Sequence, residues 1–408
     1  MRSVDEHLDE ILRTVEALHP LPLTLSDAHG CVLAEDVVAS GAIPPFDNSA
    51  MDGYAVRQAE VAAASETAPV QLHVSGDLAA GSAPSIVVQP GFAVRIMTGA
   101  PVPAGADAVV PVEWTDGGTQ TVTISKAPVL GQHIRRAGED VQPGTQVMPA
   151  GTFLGSAQIG VLAAVGRASV MCRPRPRVVV ISTGDELVEV GEPLAPGKIP
   201  DSNSHALTAA AREAGAMAFR VGIVRDDPQQ LVEALEDHLI RADAVVTSGG
   251  VSVGAYDVVK EVLSRLGTVN FNKVAMQPGM PQGFGVIGPE KTPIFTMPGN
   301  PVSALVSFEI FVRPALRKML GSPALLRPTM AAAVATDIRS PEGKRSFLRV
   351  RVERQPEGTV TATPATGQGS HQLSGMAYAN ALLVVAEHLT SVPAGTQMPV
   401  ILLERRTL

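Results

Sequence analysis

Two stretches of this chain hold residues able to do chemistry on a charged ligand. Pro44-Pro45-Phe46-Asp47-Asn48-Ser49-Ala50-Met51-Asp52-Gly53-Tyr54-Ala55 is a long polar loop with two acids. Thr247-Ser248-Gly249-Gly250-Val251-Ser252-Val253-Gly254-Ala255-Tyr256-Asp257 is a Gly/Ser turn that leaves an apolar strand. Two more turns share its character: Ser182-Thr183-Gly184-Asp185-Glu186-Leu187 and Thr296-Met297-Pro298-Gly299-Asn300-Pro301-Val302-Ser303. Glycine lets backbone approach an anion closely, hydroxyls donate to it, and free N–H groups at a helix start attract phosphate. A fourth stretch, Asp201-Ser202-Asn203-Ser204 after Pro200, reads both as a ligand loop and as plain helix capping.

Carboxylates surround these turns. Glu186, Asp226, Asp227 and Asp257 fall at or just beyond strand ends or helix starts, Asp52 lies in the polar loop, and Glu139-Asp140 follow Arg135-Arg136. Acids converging on an anion repel it unless a divalent cation intervenes. Mg²⁺ fits, because it takes oxygen ligands and bridges carboxylates to phosphates. The plainer reading of Asp226, Asp227 and Asp257 is helix capping. Asp227, followed by Pro228, suits that best and leaves Asp226 free.

Nearer the C-terminus, Gly343-Lys344-Arg345-Ser346-Phe347-Leu348-Arg349 places Arg345 and Arg349 on one strand face. Two guanidinium forks suit a tetrahedral oxyanion, and a solvated basic strand edge is the plainer reading. Gly369-Ser370-His371-Gln372-Leu373-Ser374 adds hydroxyls. His205, His238 and His371 are isolated, and no GxxxxGK[ST] phosphate loop occurs.

The elements that must position these residues follow from periodicity. Residues 3–18 form an amphipathic helix with a Ser3/Glu6 capping box, packing on its own chain. From about 26 to 172, short apolar runs separated by turns predict two small β-rich units. From Arg177 the rhythm changes. Strands at 178–182, 219–224 and 244–247 alternate with helices at 204–214, 228–240 and 258–266; three strands and a helix at 302–320 follow. Such alternation predicts βαβ units, a mostly parallel sheet and helices on both faces. All three Gly-rich turns then sit at the carboxyl ends of strands, where open α/β sheets bind ligands. Residues 326–408 read as a separate C-terminal β domain. The fold class is therefore multidomain α/β plus β.

Composition narrows the function. The 408 residues exceed one ordinary core. Aromatics are 3% and the net charge is −8, which argues against stacking surfaces and against nucleic acid as a main partner. Cys31 and Cys172 stand far apart, so neither a cysteine metal cluster nor a disulfide framework is expected. The N-terminus carries Asp5, Glu6, Asp9 and Glu10 rather than an apolar signal core, and no run approaches about 18 apolar residues. A cytoplasmic protein without a membrane span is expected.

Six motifs carry a resemblance. Residues 44–55, Arg95-Ile96-Met97-Thr98-Gly99-Ala100-Pro101-Val102-Pro103 and Arg135-Arg136-Ala137-Gly138-Glu139-Asp140 resemble the molybdopterin molybdenumtransferase family, which includes bacterial MoeA and the gephyrin E domain. So do Ser182–Leu187, Ser248–Gly254 and Met297–Ser303, in family order. The resemblance implies an elongated homodimer of four domains with a cleft shared between subunits. These are a MoaB/MogA-like molybdopterin-binding domain (1–25 plus 172–322), β-rich domains at 26–45 plus 139–171 and 46–138, and a C-terminal β domain (326–408). It implies insertion of molybdate into adenylylated molybdopterin, release of AMP, help from Mg²⁺, and a possible partnership with the molybdopterin adenylyltransferase. Asp52, Thr98 and Asp140 would line the site from the β-rich part. Glu186, Asp226 and Asp257 would be catalytic acids and metal ligands. Asp201, Ser202, Asn203, Ser248, Gly249, Gly250, Ser252, Pro298, Gly299, Asn300, Pro301 and Ser303 would hold the pterin and phosphates. Lys273, Arg345, Arg349 and Ser374 would lie toward the molybdate. One segment departs from the family. Where many members read Lys-Pro-Gly-Lys-Pro or Lys-Pro-Gly-Leu-Pro, this chain has Gln277-Pro278-Gly279-Met280-Pro281, with Lys273 just upstream. The alternatives are a molybdopterin adenylyltransferase, which ATP turnover would reveal, and a non-catalytic scaffold of the gephyrin E type.

Overall fold

Ser3 begins the first helix by accepting from the Glu6 amide at 3.1 Å, while the Glu6 carboxylate accepts from the Ser3 amide at 2.9 Å. The computed structural model describes residues 1–83, 85–249, 255–365 and 367–403, without the side chains of 255–258 and 260. Helix α1 (Val4–Thr14) stops short of the expected residue 18, because Val15 turns to extended backbone. Val4, His7 and Ile11 are buried on the chain's own core, as the amphipathic face predicts.

His7 has a measurable consequence. Its imidazole is buried edge-on to Phe311 at 4.8 Å, and its Nδ1 has no hydrogen-bond partner among the described residues. Burial first, and the Arg2 charge second, push its pKa from 6.5 down to about 4. Between those values the unfolded chain binds the proton and the folded one does not, so stability falls as pH drops through that window. Acidification from pH 7 to pH 5 should remove about 2 kcal/mol through this residue. Urea melts at both pH values should show that increment in the wild type and lose it in His7→Leu.

The chain divides into two compact units, 23–29 with 35–170, and 1–22 with 30–34 and 171–408. The former is built on five strands: β1 (Gly53–Val56), β2 (Val70–Leu78), β3 (Phe92–Ile96), β4 (Ala108–Pro111) and β5 (Thr121–Ile124). Their sheet order is β4-β1-β3-β2-β5. Tyr54, Val110 and Ile124 fill the core on one face, and Ala55, Val94 and Val109 fill it on the other. Helix α2 (Ser156–Ala164) was not expected here. Its apolar residues follow neither period, and alanine propensity decides the element.

In the other unit, β6 (Arg177–Thr183) is buried along nearly its whole length, as a strand covered on both faces must be. Then come α3 (Asn203–Glu213), β7 (Met217–Val224), α4 (Pro228–Leu239), β8 (Ala244–Ser248), α5 (Ala255–Leu266), β9 (Gly267–Lys273), β10 (Pro281–Ile287) and β11 (Thr292–Met297). The sheet runs β7-β6-β8-β11-β10-β9. Its first four strands are parallel, while β10 and β9 are antiparallel. The sheet is thus mostly parallel, as expected, with an antiparallel edge. Only residues 288–291 join β10 to β11, and a link that short cannot cross over between parallel strands. Val178, Val180 and Val246 face one core with α3, and Val179, Ile181 and Val245 face the other with α4 and α5. The expected last helix is α6 (Pro301–Ser307), a π-helical turn at Phe308–Val312 and α7 (Arg313–Met319).

The C-terminal strands are β12 (Thr329–Val334), β13 (Arg345–Arg354), β14 (Val360–Pro364), β15 (Ala381–Val385) and β16 (Gln397–Leu402), with a short helix α8 (Leu373–Tyr378) between β14 and β15. They pair as β13-β14-β12-β16-β15, and β15 pairs back to β13, so the sheet closes into a barrel. Met276–Gln277 pairs in parallel with the start of β13, tying the 277–281 loop to the barrel. Among the described residues, no helix is long and apolar enough to cross a membrane.

Candidate active site

Strands β6, β8 and β11 end level with one another, because Ser182 pairs with Ser248 and Ser248 with Met297. The turns beyond them therefore meet at one edge. Between them lies a cleft of about 650 Å³ lined by Ser182, Glu186, Asn203, Ser248, Gly299 and His371, among others. A larger hollow of about 970 Å³ lies at the amino ends of the strands. There Arg177 and Asp243 neutralise each other in a bidentate pair at 3.0 and 2.8 Å. Open α/β sheets bind at carboxyl ends, so the smaller cleft is the candidate site.

The 201–204 loop divides its roles. Asp201 is buried, and its carboxylate accepts from the Ser182 hydroxyl at 2.9 Å, the Ser204 amide at 3.0 Å and the Ser204 hydroxyl. It fastens α3 to β6 through these bonds, and it also lines the cleft. Ser202 is exposed and makes no side-chain cap bond. Asn203 Nδ2 donates to Ser248 Oγ at 2.8 Å and to the Gly299 carbonyl at 2.7 Å, joining all three elements. Pro298 is buried, Gly299 and Asn300 are exposed, Pro301 opens α6, and Ser303 is buried within it. Gly250 and Ser252 lie outside the described residues.

Gly249 is required by space as well as by conformation. Its φ is +96°, and a Cβ there would lie 2.3 Å from the Thr183 carbonyl oxygen. Gly249→Ala should displace the β8 turn and weaken ligand binding by about tenfold or more, with a lowered melting temperature. Calorimetry and a thermal melt on the purified variant check both effects.

Glu186 lines the cleft. Asp226 is half-buried, and burial first, then the nearby Asp185 and Glu186 charges, raise its pKa above the usual carboxylate value. Asp227 caps α4 by accepting from the Gln230 amide at 2.9 Å, which leaves Asp226 without that duty. The side chain of Asp257 lies outside the described residues. No group of three acids, histidines or cysteines arranged for a metal occurs among the described residues.

The two arginines part ways. Arg345 is paired with Asp5 at 2.7 and 2.8 Å and with Glu387 at 3.0 Å, so its fork is occupied. Arg349 is fully buried and donates from Nη2 to the carbonyls of Gly367 and Gly369, the latter at 3.2 Å. Among the described residues its Nε and Nη1 have no partner, and burial lowers its pKa. The expected pair of free forks is thus corrected to one. The loop that takes Arg349 also holds Ser370, whose carbonyl accepts from the Val302 amide at 3.1 Å, and His371 of the cleft. Ser374 is exposed on α8. Lys273 is exposed and pairs across the sheet with Pro281, another cleft residue. Sequence reasoning missed Gln282. Its buried Nε2 donates to the Gly279 carbonyl and to Ser307 Oγ, both at 2.6 Å, and so shapes the 277–281 loop.

In the β-rich unit, Asp52 Oδ1 accepts from the Thr98 amide at 2.6 Å and the Thr98 hydroxyl at 2.8 Å. Those bonds, the amide's foremost, hold its carboxyl below the usual range. Asp140 is exposed, and its amide donates to the Ile43 carbonyl at 3.0 Å. Asp47, given no role from sequence, binds the Ala137 amide at 2.8 Å and Arg136 at 2.6 Å, knotting the 44–55 loop to the 135–140 turn.

Three family models cover almost the whole chain: the MoeA N-terminal region (domain I and II) at 2–166, a probable molybdopterin binding domain at 179–318, and the MoeA C-terminal region (domain IV) at 331–403. Over 406 residues the chain is 48% identical to molybdopterin molybdenumtransferase 2 of Mycobacterium tuberculosis, covering 98% of this chain and 99% of that one. This chain belongs to the MoeA family. Molybdopterin molybdenumtransferase 1 of the same organism is 42% identical, with 97% of each chain covered. The molybdopterin biosynthesis MoeA protein of Pyrococcus horikoshii superposes with a TM-score of 0.77 at 32% identity, covering 98% of this chain and 99% of that one. In the 277–281 segment Gln277 is exposed and Met280 is partly buried.

Proposed function

We propose that the chain is a molybdopterin molybdenumtransferase that inserts molybdate into adenylylated molybdopterin, with release of AMP and help from Mg²⁺. The observation that carries this reading is a strand-end cleft that includes His371, on a loop whose Gly367 and Gly369 carbonyls are held by the fully buried Arg349, a guanidinium with Nε and Nη1 unpartnered among the described residues. A buried guanidinium with open donors suits an oxyanion, and molybdate is a tetrahedral one. Lys273, exposed beside Pro281, would add a point charge on the same side.

Mg²⁺ fits the acidic side. Asp226 is raised in pKa beside Asp185 and Glu186, a strain that a cation relieves. Glu186 and Asp226 would hold it, together with Asp257 by motif, and it would polarise the phosphoanhydride. The turns at Gly249 and Pro298–Ser303 hold and orient the substrate, while Asp201 and Asn203 keep those turns in place. Asp52, Thr98 and Asp140 are proposed to complete the constellation that the motifs imply. Homodimerisation, a cytoplasmic location and hand-over from the adenylyltransferase belong to the same proposal.

A single-turnover assay with adenylylated molybdopterin, Mg²⁺ and molybdate tests it. AMP should appear only when molybdate is present, in step with metal-loaded cofactor. Substrate binding without either product would overturn the reading.

A further inference from the structure

We infer that Asn203 makes its end of the cleft a reader of ligand N–H groups, so that Asn203 and Ser248 take the exocyclic amino group of a fused heterocycle rather than a phosphate oxygen. The inference deepens the proposed function and rests on it.

The argument is one of hydrogen-bond inventory. The Gly299 carbonyl can only accept, so the Asn203 atom 2.7 Å from it is the amide nitrogen, Nδ2. The same nitrogen donates to Ser248 Oγ at 2.8 Å. An amide has two hydrogens, and both are now committed. What Asn203 still offers is Oδ1, a pure acceptor, on a residue that lines the cleft. Ser248 is constrained in the same sense. Having accepted from Asn203, its hydroxyl stands 3.5 Å from the Pro298 carbonyl, which can only accept, so its hydrogen is directed there. The face left for a ligand is a set of lone pairs.

Phosphate oxygens are acceptors too. A phosphate seated on this face would oppose lone pair to lone pair, so the phosphate contacts must lie elsewhere in the cleft. A heterocycle edge is complementary instead. The aminopyrimidinone of a pterin presents an amino group and a ring N–H, and adenine presents an exocyclic amino group. Sites that hydrogen-bond a ligand N–H discriminate strongly against analogues lacking it.

Equilibrium binding by the full chain of four compounds tests this: 6-hydroxymethylpterin against 6-hydroxymethyllumazine, in which a carbonyl replaces the 2-amino group, and AMP against IMP. The wild type should bind the amino member of one pair about tenfold or more tightly, and the pair that discriminates names the ring. Asn203→Ala should bring that ratio to near one. Asn203→Asp keeps an acceptor, so it should retain the ratio while binding both members more weakly. A residue that merely staples the turns would weaken every compound alike and leave the ratio unchanged. A preserved ratio in Asn203→Ala, with a normal melt, overturns the inference, as does equal binding of all four by the wild type. Binding of none of the four would sink the proposed function, and this inference with it.

Discussion

Arg349→Met is expected to lower molybdate-dependent cofactor formation by about 100- to 1000-fold, while adenylylated molybdopterin still binds within a few-fold of wild type. The size follows from what losing preorganised donors to a reacting oxyanion ordinarily does. The separation of effects follows from location, since Arg349 lies on the barrel strand β13 and the cleft-lining turns lie on the α/β sheet. Stability should move little. The variant leaves the Gly367 and Gly369 carbonyls without their donor, but it also removes a buried charge with three unsatisfied N–H groups. These oppose each other, and replacing a buried charge by an apolar side chain of similar length is often neutral. Single-turnover kinetics and a melt on the same sample separate the outcomes. A large drop in melting temperature would make the residue structural, and unchanged kinetics would remove it from the oxyanion site. Arg349→Lys keeps the charge without the fork and should recover only part of the activity.

Asp226→Asn should lose Mg²⁺-dependent AMP release by about 100-fold or more and yet be at least as stable as the wild type at neutral pH. Its folded-state pKa is raised by burial and by Asp185 and Glu186. A raised carboxylate pKa means that the folded state binds the proton more tightly than the unfolded one, so stability falls as pH climbs from the unfolded value through the folded value. At pH 7 the ionised group therefore destabilises the fold, and the neutral amide removes that repulsion. Melting with and without Mg²⁺ gives the second signature. The cation should raise the wild-type midpoint by mass action, and Asp226→Asn much less. Equal Mg²⁺ stabilisation of both proteins would place the metal elsewhere.

Most of the fold could be read locally. Ser3 and Glu6 signal α1, Asp227-Pro228 signals α4, and the apolar runs at 178–182 and 244–247 signal β6 and β8, because caps and periodicity act over a few residues. The antiparallel edge of the sheet is legible in the short 288–291 link, which leaves no room for a crossover. Helix α2 carried no periodic signal to find. The strand-end turns could be placed at one sheet edge because right-handed βαβ units put them there.

The sequence by itself determined the elements, the turn chemistry, and through its six motifs the family. Tertiary structure decided which of those side chains remain available. Arg345 and Arg349 are alike in type and strand face. Yet Asp5, 340 residues earlier in the chain, takes the first, while the second is buried with open donors. Asp201 and Asn203 are two residues apart, and one turns inward to Ser182 while the other joins Ser248 to Gly299. Closure of the barrel was decided in the same way, by β13 meeting β15 after β14 and α8 have intervened. The physical reason is common to all three. A hydrogen bond or ion pair is set by which groups the fold brings within about 3 Å, and partners tens to hundreds of residues away leave no local pattern.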